Sequence, residues 1–193
     1  MKTLATISEG IFKEKGSKFI AYALPVKNEE EIKAHLSKLK KEHHSARHHC
    51  YAYRLGETGQ LWRANDDGEP SGTGGKPILG QLQSYELSNA LIIVVRYFGG
   101  VLLGKGGLIH AYRNAAADAI QNNKLIPLDI KVGLEIEAEE SDFHSVFKTI
   151  KQLEGEIIHQ SYADNYKIVV SISKKNLNTL QTLYEKKIRI INL

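Results

Sequence analysis

Two hydrophobic periods alternate along the chain, and each switch between them marks an element. Residues 3–13 and 17–26 carry apolar positions at strand spacing and are joined by the polar turn Glu14-Lys15-Gly16, which predicts a hairpin. Asn28 stands where a helix N-cap belongs, followed by Glu29, Glu30 and Glu31 in the turn where the helix dipole favours acids. Ile32, Leu36 and Leu39 then fall on one helical face. Cys50–Leu55 and Leu61–Ala64 predict a second hairpin around Gly56-Glu57-Thr58-Gly59. Pro77 opens a short helix through Leu87, Ala90–Val95 is an unbroken apolar run that predicts a buried strand, and Leu108–Asn122 predicts a longer helix.

The segment Leu125-Ile126-Pro127-Leu128-Asp129 breaks both periods, and a cleaner pattern starts after it. Val132–Ala138 alternates as a strand; Ser141 caps a helix carrying Phe143, Val146, Phe147 and Ile150, which stops at Gly155. Ile157–Tyr162 and Tyr166–Ile172 predict a hairpin through Ala163-Asp164-Asn165. Ser173 or Asn176 caps a last helix with Leu177, Leu180 and Leu183, and Ile188–Leu193 closes the set. The order βαββαβ over residues 131–193 is that of a ferredoxin-like split unit. The prediction is an α+β protein of two domains, divided between about Leu125 and Lys131.

Bulk composition narrows the class. With 193 residues, 42% hydrophobic and 25% charged, the chain has the make-up of a soluble globular protein. Its longest apolar run, Ala90–Val95, is too short to span a bilayer, and Met1 to Glu9 lack the apolar core of a signal peptide. A single cysteine, Cys50, rules out an internal disulfide and suits a reducing compartment. These features predict a cytoplasmic protein without a membrane partner. The net charge of +4 is uneven: residues 1–130 hold 17 Lys+Arg against 13 Asp+Glu, whereas residues 131–193 hold 9 of each. His35, His43, His44, His48, His49 and His110 also lie in the first part. Nucleic-acid contact, if any, is expected there.

Candidate chemistry concentrates in three segments, 48–53, 66–77 and 96–107. Gly99 to Lys105 spells G-x-x-x-x-G-K, but Gly106 stands where a nucleotide P-loop needs Ser or Thr, and the spacer includes Val101-Leu102-Leu103. What survives is either a helix start whose free N–H groups at Gly106-Gly107 suit an anion, or a tight turn. Asp66, Asp67 and Glu69 lack calcium-loop spacing, and one of them can equally pair with Arg96 or Arg63. His43, His44, His48, His49 and Cys50 have no second ligand group for a structural zinc. Cys50, in a strand pattern with Ala52, reads as a small buried hydrophobe before a nucleophile, and no Gly-x-Ser-x-Gly elbow surrounds Ser71. No metal or cofactor is predicted. Tyr51, Tyr53, Trp62, Tyr97 and Phe98 interleave with Arg54, Arg63, Arg96 and Lys105, a mixture that can stack bases and meet phosphates, or simply fill a core.

His48-His49-Cys50-Tyr51-Ala52-Tyr53, Asp66-Asp67-Gly68-Glu69-Pro70-Ser71-Gly72-Thr73, and Arg96-Tyr97-Phe98-Gly99-Gly100 with Leu103-Gly104 and Gly107-Leu108 resemble the IMPACT family in its bacterial, YigZ-type form. Lys18-Phe19-Ile20 after Gly16-Ser17 fits the same family's N-terminal hairpin, and the likeness covers nearly the whole chain. Eukaryotic relatives match only the first domain and lack the cysteine, which weighs against a thiol mechanism. The resemblance implies that residues 1–128 form an IMPACT N-terminal domain with the fold of ribosomal protein S5's second domain. It implies that residues 129–193 form a ferredoxin-like domain like domain V of elongation factor G. Eukaryotic members restrain a translation-regulating kinase by competing for its activator, so a link to translation is implied here. The expected site is a cleft of His48, Asp66, Asp67, Glu69, Ser71, Thr73, Arg96, Tyr97 and Lys105. Its expected role is that of a translation-associated regulator binding RNA or a ribosome-associated protein, with no DNA sequence specificity. The alternative is an enzyme acting on a phosphorylated or nucleotide substrate. Asp66, Asp67 and Glu69 would then position a cation or water, and Lys105 with Arg96 would hold phosphate.

Overall fold

In the computed structural model, which describes residues 1–183 and 188–191, the apolar run at 90–95 becomes the centre of a five-stranded antiparallel sheet. The strands are β2 (Ser8–Glu14), β3 (Ser17–Pro25), β4 (His48–Leu55), β5 (Leu61–Asn65) and β6 (Ala90–Tyr97), in the order β2-β3-β6-β4-β5. Strand β6 is apolar at successive positions because both of its faces are covered. Leu91, Ile93 and Val95 pack with Ile32 and Leu39 of helix α1 (Glu29–Glu42) on one side. Ile92 and Val94 pack with helices α2 (Gly75–Ser84) and α3 (Gly104–Gln121) on the other. Alternation within a strand therefore decides which helix layer a side chain meets.

Helix α1 starts where the sequence predicts: Asn28 Oδ1 accepts the Glu31 N–H at 2.9 Å. Other boundaries differ. Residues 3–13 are not one strand, since β1 (Lys2–Leu4) leaves the sheet and pairs antiparallel with β7 (Leu125–Pro127), the segment expected to be a bare connection. Helix α2 begins at Gly75, ahead of Pro77, and α3 begins at Gly104, four residues before Leu108. Glycines signal loops, yet tertiary packing has drawn these into helical first turns.

The chain divides into two compact units, Met1–Leu128 and Asp129–Leu193. The second unit runs β8 (Lys131–Ala138), α4 (Glu140–Gln152), β9 (Glu156–Tyr162), β10 (Tyr166–Ser173), a 3-10 turn at Lys174–Asn176 leading to α5 (Leu177–Leu183), and β11 (Ile188–Ile191). Its antiparallel sheet has the order β11-β8-β10-β9, and Leu134, Ile136, Val146, Ile150, Ile168, Val170 and Leu180 form its core. The residue preceding α4 is Glu139, not Ser141. The last two residues of the strand predicted at 188–193 lie outside the described residues.

Candidate functional site

Strands β4 and β6 run antiparallel with His48 opposite Arg96, so both side chains leave the sheet on the face covered by α2 and α3. The loop after β5 brings Glu69 to the same place. Arg96 Nη1 donates to Glu69 Oε1 at 2.6 Å, the Tyr112 hydroxyl donates to the same oxygen at 2.8 Å, and His48 Nε2 lies 4.0 Å from it. Arg96 is 6% exposed and Glu69 8%, so neither charge is paired with bulk water. The guanidinium also lies near the rings of Phe19 and Phe98, 5.5 and 5.6 Å from their centroids. Its Nε–H is buried, with no hydrogen-bond partner among the described residues.

A cleft of about 450 Å³ opens at this pair. Arg47, His48, Glu69, Arg96 and Lys105 supply its polar lining, and Pro70, Phe98, Leu102, Leu103 and Leu108 its apolar lining. Gly104, the first residue of α3, also borders it. Leu103 gives no side-chain cap to α3, and no acid stands in the first turn. Among the described residues, no side chain caps the leading N–H groups and the positive end of the helix dipole. Gly104 takes φ +70, a conformation that suits glycine, and a Cβ at Gly104 or Gly106 would meet open space. Close approach explains Gly99 instead: its Cβ would sit 1.9 Å from the Gly16 carbonyl carbon.

Of the nine residues expected in one cleft, His48, Glu69, Arg96 and Lys105 line it; Asp66, Asp67, Ser71, Thr73 and Tyr97 do not. The Asp66 carboxylate accepts backbone N–H groups from Gly72, Gly74 and Gly75 at 2.8, 2.9 and 2.8 Å. Burial alone would raise its pKa, but these donors hold it below the ordinary carboxylate value. Asp67 accepts from the His49 N–H at 2.8 Å and from Lys40 Nζ at 3.0 Å, and α1 carries Lys40 on the sheet face opposite Arg96. Its pKa is depressed too, burial being outweighed by those two donors. Thr73 is buried and donates to the Pro70 carbonyl at 2.6 Å, while Ser71 is exposed. Tyr97 follows Arg96 in a strand and so faces the other way, its hydroxyl 2.8 Å from His43 Nδ1 and its ring against the α1 layer.

Each acid of the 66–69 loop therefore has its own partner. The pairing with Arg96 is the one found, and the three carboxylates do not converge as cation ligands. Among the described residues no group of three His, Cys, Asp or Glu side chains is placed to hold a metal. Cys50 is fully buried, donates from Sγ to the Asp66 carbonyl at 2.9 Å, and has its thiol pKa pushed up by burial. Burial and that contact both disfavour the thiolate that a nucleophile needs.

Residues 15–120 match the family described as the Impact N-terminal domain, a span that takes in the whole cleft. The chain belongs to the IMPACT family. An IMPACT family member of Haemophilus influenzae is 37% identical over 179 residues, covering 89% of this chain and 85% of that protein. The IMPACT family member YigZ of Escherichia coli is 35% identical over 153 residues, covering 77% and 74%. Among solved structures, a crystal structure described as that of a hypothetical protein matches 100% of this chain and 96% of its own at 27% identity, with a TM-score of 0.75. The mixed α/β architecture of this IMPACT protein is thus shared along its full length.

Proposed function

We propose that this IMPACT family member is a translation-linked regulatory protein that binds RNA through the cleft at the start of α3. The observation that carries the reading is the convergence there of Arg47, Arg96 and Lys105 with an uncapped helix N-terminus and the half-exposed ring of Phe98. Cations and free N–H groups answer phosphates, and an aromatic face beside them stacks a base without regard to its identity. Of the aromatics that could stack a base, Phe98 is the one that lines the cleft, whereas Tyr97 packs with the α1 layer. The link to translation is supported by family membership. It accords with a first unit of the S5 domain 2 type and a second of ferredoxin-like type, whose strand order β11-β8-β10-β9 supports that assignment. The enzyme alternative is less well supported, because the Asp66 and Asp67 carboxylates are occupied with backbone donors and Lys40.

Fluorescence anisotropy with single-stranded RNA at low salt tests the reading. Affinity is expected to fall with salt at a log–log slope of roughly −1.4, from the two exposed cations Arg47 and Lys105 at about −0.7 each. Lys105→Gln makes the slope shallower by roughly one contact. Phe98→Ala weakens binding by about 1–3 kcal/mol without moving the slope, since stacking releases no counterion. Absence of RNA binding at low salt overturns the proposal, and turnover of a phosphorylated metabolite by the intact protein would replace it with the enzyme reading.

A further inference from the structure

Resting on the RNA-binding reading, we infer that the bound strand runs on from the cleft into a second hollow, between α2 and α3, where Lys76 and Arg113 meet its phosphates. This hollow has a volume of about 510 Å³. It is walled by Lys76, Gly80 and Gln81 of α2, Ile109 and Arg113 of α3, and Gly72 of the loop before α2. Its lining holds two cations, both exposed, and no acid. Among the described residues no carboxylate stands within ion-pair distance of either cation. Asp66, whose field reaches Lys76, already accepts three backbone N–H groups. Two positive charges thus face one depression without an ion-pair partner, the complement of a polyanion.

The hollow adjoins the cleft along two elements. On α3, Lys105 lines the cleft, and Ile109, one turn on, lines the hollow. In the loop before α2, Pro70 borders the cleft and Gly72 the hollow. Lys105, Ile109 and Arg113 recur at four-residue spacing and so follow one side of α3. From Lys105 to Arg113 the helix rises roughly 12 Å, a span that an extended strand covers in a few nucleotides. Gly80 is a separate sign that the hollow is kept open. It lies inside α2, where glycine weakens a helix relative to alanine. Close packing does not account for it, because a Cβ there would meet nothing within 4 Å. No aromatic ring lines the hollow, so it suits the backbone of the strand and not its bases.

The test uses the intact protein with two single-stranded RNAs, a trimer that fills the cleft alone and a decamer long enough to reach the hollow. The trimer, read by competition, is expected to show the cleft's own log–log salt slope of roughly −1.4, and the decamer roughly −2.8, from four cations at about −0.7 each. Lys76→Gln and Arg113→Gln should each make the decamer's slope shallower by roughly 0.7 and leave the trimer's alone. Gly80→Glu sets a carboxylate into the hollow at a position with room for it, and should weaken the decamer at least fivefold without affecting the trimer. Lys33→Gln, on the helix that covers the other face of the sheet, should alter neither. Equal slopes for trimer and decamer, with the Lys76 and Arg113 variants unchanged, overturn the inference while leaving RNA binding at the cleft intact. A polyglutamate peptide that is sensitive to Gly80→Glu when the decamer is not would give the hollow to an acidic protein segment and overturn it as well. Binding of neither RNA at low salt overturns both.

Discussion

At the scale of the residue, the Glu69–Arg96 pair governs what the site tolerates. Two charges taken out of water are held by a 2.6 Å contact, and removing one strands the other. Glu69→Ala is expected to lower unfolding stability in urea by about 3–5 kcal/mol, whereas Glu69→Leu combined with Arg96→Met should recover most of that loss. A Glu69→Ala protein as stable as the parent would show that the pair is solvated in solution. Sequence made part of this legible. Arg96 and the 66–69 acids were natural partners by charge, but which acid pairs depends on how the loop crosses the ends of β4 and β6. Tyr97 was misplaced by its adjacency to Arg96, although period-2 alternation in a strand separates neighbours onto opposite faces. Tyr112 went unnoticed despite a signal. It lies with Leu108, Ala111, Ala115, Ala116 and Ala119 on the buried side of α3, and a buried tyrosine hydroxyl needs a partner.

At the scale of the element, Asp66 ties a glycine-dense loop to the start of α2. Three N–H groups converge on one carboxylate, so Asp66→Asn, which turns an amide donor toward some of them, is expected to cost about 1–3 kcal/mol. The pH dependence follows in sign. Asp66 is held below its ordinary 3.8, so its contribution is present above that value and is lost as pH falls through the folded-state pKa. Asp66→Asn should therefore flatten the acid limb of a stability-against-pH curve, and an unchanged limb would remove Asp66 from this role. The long elements, β3, β6 and α1, were readable because period and cap agreed. The start of α3 was not, since glycines at 104, 106 and 107 argue locally against a helix that packing of Leu108, Ala111 and Tyr112 imposes. The β1–β7 pair escaped because three-residue strands carry almost no periodic signal and Pro127 suggests a break.

At the scale of the whole molecule, separate cores in the two units lead us to propose that each folds alone. Fragments 1–128 and 129–193, made separately, should each show secondary structure by circular dichroism and a cooperative denaturant transition. The second, at about 65 residues, should be the less stable, being near the lower size limit for a lone core. Failure of the first fragment to fold would reject the division. The place of the cut matters, because ending the first fragment before Leu125 removes the partner of β1. That pairing carries a consequence for biosynthesis. Lys2–Leu4 leave the ribosome more than a hundred residues before Leu125–Pro127 emerge. The nascent chain can assemble the hairpin of β2 and β3 early, yet β1 must wait for its partner until the last strand of the unit has been made.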